Sequence, residues 1–320
     1  MIAYILAGGF ATRLWPLCNT HSKAFLPLAG KPLLSHIVEK IPVDMPIIVN
    51  INLASEDAYD DWRQTVTRPN VSVIIEQAKT DETKLGALGA LAKWAQQEKI
   101  NEDILLLTGD NYFGFVFEDF LRAYTKGTPL IAAYDLQDIK QASAFGTVIL
   151  NDDGKTVIGF EEKPAEPKTS IISTGCSILP ASVLPALVDY AHRHHDNIGG
   201  IFEELLRQHT KLEAFVFTDT WFDVGSFESY MTATMALVGE NVRTGEAVAM
   251  DPETKCEGSV VIGSGSIIRN STLKDVVIFE SCMIDDCRLE HCVIDRNCIL
   301  RGVDLERKML MAETKLEGGK

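Results

Sequence analysis

Ile2-Ala3-Tyr4-Ile5-Leu6-Ala7-Gly8-Gly9-Phe10-Ala11-Thr12-Arg13-Leu14-Trp15-Pro16-Leu17 is a short apolar run that ends on a double glycine and passes into a basic loop. Such a run, bounded by glycine, fits a buried strand. Glycines at a strand's carboxyl end let backbone N–H groups approach phosphate oxygens closely, and Arg13 and Lys23 bring cationic donors to the same stretch. The stretch therefore reads as a phosphate cradle. It is not a Walker A loop, because no Gly-Lys-Ser/Thr follows, and it lacks the GxGxxG spacing of a dinucleotide fold.

Outward from this strand the chain alternates. Pro46–Ile51, Val71–Glu76, Asp103–Thr108 and Pro129–Tyr134 are β-branched or aliphatic runs, separated by helix-spaced Leu33–Lys40, Leu85–Glu98 and Glu118–Thr125. The alternation predicts an α/β fold. Thr147–Leu150 and Thr156–Glu161 flank the turn Asn151-Asp152-Asp153-Gly154 and predict a hairpin. Strand-like Ile171–Leu179 and Lys211–Thr218 follow, with helices over 181–194 and 201–209 and a closing helix over 227–238. The expectation is a mixed, mainly parallel sheet with helices on both faces, spanning 1–245.

Beyond it Val261, Ile267, Leu273, Ile278, Ile284, Leu289, Ile294 and Ile299 recur every five to six residues, with Gly, Ser, Asn, Asp or Cys between them. No α-helix has that period. It predicts a short, hexapeptide-like parallel β-helix over 246–306, followed by a polar tail over 307–320. Cys282, Cys287, Cys292 and Cys298 keep nearly the same period without any CxxC pair, so they read as small buried thiols rather than zinc ligands.

The composition narrows the function. A formal net charge of −15 argues against a nucleic-acid or anionic-membrane surface, so an anionic ligand must be held locally. No apolar run approaches the roughly 18 residues needed to span a bilayer, and Met1–Ala7 lacks the basic flank of a signal peptide. Seven cysteines without a disulfide-like framework suit a reducing compartment, and the expectation is a cytoplasmic protein.

Further motifs follow in order: Phe25-Leu26-Pro27-Leu28-Ala29-Gly30-Lys31-Pro32, Gly109-Asp110-Asn111, Phe145-Gly146, Glu161-Glu162-Lys163-Pro164, Ser173-Thr174-Gly175 and Trp221-Phe222-Asp223-Val224-Gly225. With the opening string they resemble the signature of the sugar nucleotidylyltransferases (LAGGxGTRLxPLT, a lysine-bearing segment, then LPVxxKP). That family includes glucose-1-phosphate thymidylyltransferases and mannose-1-phosphate guanylyltransferases. The resemblance covers residues 1–240 and implies a Rossmann-like, GT-A-like domain. The later segment resembles the left-handed parallel β-helix of the family's longer members.

The resemblance implies that Leu6, Ala7, Gly8, Gly9, Thr12, Arg13 and Lys23 hold the nucleotide, with Arg13, Lys23 and Asp110 catalytic. Gln77 and Gly86 would read the base. Gly146, Glu162, Lys163 and Thr174 would hold the sugar phosphate. Asp110, at the end of an apolar strand, and Asp223 could hold one Mg²⁺, although either could also be a turn or loop carboxylate. Ala11 stands where the family usually has Gly, and Ala24 where Pro or Gln is usual.

A sugar phosphate with a second pKa of about 6 is already mostly dianionic and needs no general base. What it needs is charge neutralised around an in-line transfer, which explains a site without a Ser-His-Asp or Cys-His set. The Gly-Asp-Asn and Glu-Glu-Lys-Pro strings are nearer the thymidylyltransferases, and Leu85-Gly86-Ala87-Leu88-Gly89-Ala90 is nearer the guanylyltransferases. The expected reaction couples a nucleoside triphosphate, dTTP or UTP, to a hexose-1-phosphate, glucose-1-phosphate, and releases pyrophosphate. Mannose-1-phosphate guanylyltransfer and a non-catalytic regulatory subunit are the alternatives. The repeat segment, too short for an acyl-transfer site, is expected to cap the domain or form a homo-oligomer contact.

Overall fold

A computed structural model describes residues 1–9, 14–17, 22–77 and 85–318 of the 320-residue chain. Along it run β1 (Ile2–Leu6), a small hairpin of β2 (Pro27–Leu28) and β3 (Lys31–Pro32), α1 (Leu33–Val38), β4 (Ile47–Asn52), α2 (Glu56–Thr65) and β5 (Val71–Glu76). Next come α3 (Ala87–Gln97), β6 (Ile104–Thr108), β7 (Asn111–Phe113), α4 (Phe117–Ala123), β8 (Leu130–Asp135), β9 (Gly146–Leu150), β10 (Thr156–Glu162) and β11 (Ile171–Leu179). Then follow α5 (Leu184–Ala191), α6 (Gly200–Arg207), β12 (Leu212–Phe217), β13 (Trp221–Asp223) and α7 (Phe227–Val238).

Two compact units divide these elements. One is Met1–Gly9 with Leu34–Asp223, and the other is Phe10–Leu33 with Val224–Lys320, in their described parts. The first unit holds a nine-stranded sheet in the order β5-β4-β1-β6-β11-β8-β12-β10-β9. From β5 to β6 every pairing is parallel, because helices or long crossovers return the chain each time. After β6 the pairings with β11 and β10 are antiparallel, and only β8 with β12 is parallel. The sheet is thus evenly mixed rather than mainly parallel: the hairpin of β9 and β10 and the return of β11 between β6 and β8 reverse the strand direction.

Alternation along the strands makes both faces apolar. Tyr4, Ile104, Leu106, Ile131, Ala133, Leu212 and Ala214 pack with Leu88, Leu91 and Trp94 of α3, Leu187 of α5 and Phe202 and Leu205 of α6. On the opposite face Phe215 and Phe217 meet Phe115, and Phe215 also meets Phe120 of α4. Helices therefore flank the sheet on both sides. None of the described helices is long and apolar enough to cross a membrane.

In the second unit the repeat segment forms eleven further short strands in two ladders. They are β14 (Val242–Thr244), β15 (Ala249–Met250), β16 (Lys255–Ile262), β17 (Ile267–Arg269), β18 (Thr272–Ile278), β19 (Met283–Asp285), β20 (Arg288–Ile294), β21 (Ile299–Arg301), β22 (Asp304–Glu306), β23 (Met309–Leu310) and β24 (Lys315–Glu317). All pair in parallel; the first coil is longer, with Val242 opposite Val260 and Lys255 opposite Thr272, and from Val260 on each paired residue meets the one sixteen positions on, as Thr272 meets Arg288 and Arg288 meets Asp304. This is a parallel β-solenoid with a coil of sixteen residues, shorter than three hexapeptides. Its corners are residues in the left-handed region, stacked in columns: Asn270 under Asp286 and Gly302, Asp275 under His291 and Arg307, Ser281 under Asn297 and Glu313.

The solenoid is longer than 246–306. β14 pairs with β16 before residue 246, and β23 and β24 carry the ladder through 307–317, where a polar tail was expected. Inside it Ile268, Ile284 and Leu300 are fully buried, whereas Ile267 and Ile299 lie half-buried on the outside. A one-residue error in register exchanges the two faces of a strand. The thiols of Cys282, Cys287, Cys292 and Cys298 donate to backbone carbonyls within the coils.

The α/β domain expected over 1–245 is therefore interrupted. α7 packs on β16, its Tyr230 hydroxyl donates to the Pro27 carbonyl at 2.5 Å, and Arg243 donates to the Ala29 carbonyl at 3.3 Å. These bonds join the 22–33 segment and α7 to the solenoid.

Candidate functional site

At the carboxyl ends of β1, β4 and β6 the backbone is drawn close. The Gly109 amide donates to the Leu6 carbonyl (2.8 Å) and the Ala7 amide to the Asn50 carbonyl (2.8 Å). A Cβ on Gly109 would stand 2.9 Å from the Leu6 oxygen and 3.2 Å from the Ala7 Cα, so only glycine allows this approach. The Asn52 side-chain amide donates to the Gly8 carbonyl (2.9 Å), and Ser55 donates to the Asn52 Oδ1 (3.0 Å). Asn52 and Ser55 are buried and hold the glycine turn from behind. The sequence reading passed over them; their signal is polar residues, Asn50 and Asn52, closing an otherwise apolar strand.

A two-stranded ribbon, which short strand length concealed in the sequence, brings the backbone of Asp223 beside the Gly109-Asp110-Asn111 turn. β7 and β13 pair antiparallel, so Asp223 stands opposite Asn111, the residue after Asp110. The Asn111 side-chain amide donates to the Asp110 Oδ1 (3.0 Å) and to the Thr108 hydroxyl (2.8 Å). Its Oδ1 is buried without a hydrogen-bond partner among the described residues. Both carboxylates are half-buried. No group of three or more His, Cys, Asp or Glu is gathered for a metal among the described residues. Two carboxylates fit a hard cation that takes its other ligands from phosphate and water, which is the usual protein share of a Mg²⁺ site.

A second constellation is built on the pairing of β9 with β10. Lys163 follows β10 with φ of +47°, a left-handed conformation uncommon for a side chain of its length, and its amide donates to the Phe145 carbonyl (3.1 Å). Its Nζ is exposed, 4.0 Å from Glu162 Oε1. Burial raises the Glu162 carboxyl above the usual range, the Lys163 charge opposes this, and Glu203 adds to it. The carboxylate occupies a slot bounded by two glycines: a Cβ on Gly146 would stand 2.8 Å from Glu162 Oε2, and one on Gly199 would collide with it. From α6, Glu203 Oε1 accepts the Glu162 N–H at 2.7 Å. Gly199 and Glu203, which contact Glu162, are further candidates that the sequence reading missed. Thr174 is buried, and its hydroxyl donates to the Ala132 carbonyl (2.8 Å), so that group is engaged inside the sheet.

Gly86 sits at the amino end of α3 with φ of +75°, and a side chain there would run into the His195 carbonyl. The Gly89 amide donates to that same carbonyl (2.9 Å), and the Ala87 amide to Asp196 Oδ1 (3.2 Å). The Leu85 amide donates to Glu76 Oε2 at 3.3 Å, and burial raises the Glu76 carboxyl. Gln77 follows β5 and is exposed. After α5, His194 stacks on Tyr190 (4.6 Å between centroids) while the His195 backbone braces α3.

Lys23 opens a 3-10 turn, Lys23–Phe25, in the second unit, where the Leu26 amide donates to its carbonyl. Thr12 and Arg13 lie outside the described residues. In the first unit, then, the ribbon sets Asp223 opposite Asn111, next to Asp110, the glycine contacts join Leu6 and Ala7 to Gly109 and Gly8 to Asn52, and the β9–β10 pair joins Gly146 to Glu162, with Lys163 following.

A family model described as Nucleotidyl transferase matches residues 2–240. A glucose-1-phosphate thymidylyltransferase of Streptomyces antibioticus is 24% identical over 99% of this chain and 89% of its own. A Sulfolobus acidocaldarius protein, provisionally named a mannose-1-phosphate guanyltransferase, is 26% identical over 85% of this chain and 75% of its own. Among solved structures, a Bacillus anthracis protein provisionally named a glucose-1-phosphate thymidylyltransferase, crystallised with sucrose, shares the fold. Its TM-score is 0.63 at 24% identity, covering 74% of this chain and 94% of that one.

Proposed function

Because this chain belongs to the nucleotidyl transferase family, we propose that it transfers a nucleotidyl group from a nucleoside triphosphate to a hexose-1-phosphate, releasing pyrophosphate and a nucleotide sugar. The observation that carries this reading is the ribbon that sets Asp223 across from Asn111, beside Asp110, at the carboxyl end of β6. Ligands of open α/β sheets bind at such strand ends. The glycine contacts behind Leu6, Ala7 and Gly8 support a phosphate cradle next to these carboxylates on the same sheet edge.

In this reading Asp110 and Asp223 hold Mg²⁺. Bound there, the ion would supply positive charge that offsets the triphosphate. Arg13, Lys23, Thr12 and Gly9 would contact the triphosphate, as the family resemblance implies, and Gln77 and Gly86 would read the base. Lys163 grips the hexose phosphate, while Glu162, held in its glycine slot, accepts sugar hydroxyls; Gly146 and the backbone at Thr174 complete that side. Since the nucleophile is a phosphate oxygen already ionised at neutral pH, these residues bind, align and neutralise, and none removes a proton.

The substrates we propose are glucose-1-phosphate with dTTP or UTP, in line with the name of the Streptomyces relative that spans nearly the whole chain. The Sulfolobus relative favours the second reading, mannose-1-phosphate with GTP. The same proposal includes a cytoplasmic enzyme whose solenoid winds as a left-handed β-helix. A panel of nucleoside triphosphates against hexose-1-phosphates, scored by pyrophosphate release, tests it: thymidine or uridine nucleotide with glucose-1-phosphate should be fastest. A GTP and mannose-1-phosphate optimum would transfer the assignment to the second reading.

A further inference from the structure

The outer face of β17, β19, β21 and β24 carries two columns of side chains. Because Ile268, Ile284 and Leu300 point inward, the residues on either side of each point outward. One column is Ile267, Met283, Ile299 and Lys315; the other is Arg269, Asp285, Arg301 and Glu317. The charged column alternates strictly in sign. Arg269, Arg301 and Glu317 are exposed, Asp285 and the apolar residues half so. Within the coil ladder Arg301 reaches Glu317 at 3.2 Å and the Met283 sulfur at 3.7 Å.

An alternating column has a symmetry consequence. Rotated by 180° about an axis lying along the strands and midway between two coils, it presents each positive charge to a negative one. With that axis between the coils of Asp285 and Arg301, Arg269 meets Glu317 of a second copy and Asp285 meets its Arg301. Met283 then faces Ile299, and Ile267 lies on the aliphatic stem of Lys315. An axis one coil earlier would instead set Ile299 against Ala249, which offers less apolar surface. A parallel arrangement would place the charged column on the apolar one.

We propose that this solenoid face is a self-complementary docking surface for a second copy of the chain, the two solenoids running antiparallel about that axis. The occupant is chosen by charge: a uniformly acidic or basic partner would meet as many like charges as opposite ones, whereas the reversed copy meets only opposite ones. A face this narrow lies at the small end of specific interfaces, so the dimer should be reversible and concentration-dependent.

Sedimentation velocity of the full chain over a wide concentration range tests this. Asp285→Arg and Arg301→Asp should each weaken association at least tenfold, while their equimolar mixture should regain it, since the reversed charges face one another across the axis. High salt should weaken the wild-type dimer. If a reversed charge unfolds the solenoid, as a melting curve would reveal, Met283→Ser must weaken association instead. A wild type monomeric at every concentration, a dimer indifferent to these variants, or a mixture that stays monomeric would overturn the proposal. If the ladder served only its own coils, the variants would lower the melting temperature without changing the assembly.

Discussion

At the scale of single residues, the proposed sugar-phosphate side is held by a bond that crosses from α6 to the end of β10. Glu203 accepts the Glu162 N–H in a charge-assisted hydrogen bond, at the peptide next to the left-handed Lys163. Such a bond is worth roughly 1.5–3 kcal/mol, about ten- to a hundredfold in affinity if it sets the lysine's position. Glu203→Ala should therefore raise KM for the hexose phosphate about tenfold, with kcat and nucleotide affinity nearly unchanged. Glu203→Gln keeps an acceptor oxygen and should recover most of the loss. Steady-state kinetics on the pair decides it: equal KM values for Ala and wild type would show that the bond positions nothing. On the other side of the site, Asp110→Asn and Asp223→Asn each remove one charge from a half-buried pair. Turnover should fall by orders of magnitude while thermal melting stays close to wild type; retained turnover at saturating Mg²⁺ would remove the metal from the account.

At the scale of elements, β12 carries a buried carboxylate whose titration should be visible in stability. Burial alone would push the Glu213 carboxyl up, but hydrogen bonds from Lys155, Lys211 and Thr125 outweigh it and hold the value at about 2. Its folded value is lower than its unfolded one, about 4.3. The stabilisation is present above that unfolded value and is lost as the pH falls toward 2. Urea melts at pH 5 and pH 3 should show this loss in the wild type, and Glu213→Gln should flatten it; an equal slope in both would assign the acid sensitivity to other groups. The elements differ in how plainly the sequence announces them. β1, β5 and α3 were legible because period and punctuation agree over their whole length. α2 was not, since only Tyr59 and Trp62 of its ten residues are buried and the rest is acidic and polar. The β7–β13 ribbon escaped because three residues carry no period, although its ladder is what sets Asp223 opposite Asn111, next to Asp110. In the solenoid the repeat was evident but its register was not: Ile267 and Ile268 are equally apolar, and only the stacking of coils decides which turns inward.

At the scale of the whole molecule, the motif order in the sequence marked one continuous catalytic domain, whereas contacts assign the described part of residues 10–33 and α7 to the solenoid. Long-range bonds such as Tyr230 to Pro27 leave no local signature, so this division could not be read from the chain. It changes what truncation should do. Cutting after residue 245 removes the coils bearing Val261, Val277 and Val293, a buried outward column beside α7, each worth roughly 1.5 kcal/mol of apolar burial. The shortened chain should melt at a markedly lower temperature, and an unchanged transition would show that α7 stands without the solenoid. All of these expectations depend on one reaction. Mass spectrometry of the products formed from a nucleoside triphosphate and a hexose-1-phosphate, with pyrophosphate measured in parallel, tests it directly. The account predicts a nucleoside diphosphate sugar and pyrophosphate in equal amounts, abolished by Asp110→Asn. Pyrophosphate or phosphate released without any sugar nucleotide, or no product from any nucleotide and hexose-1-phosphate pair, would contradict it.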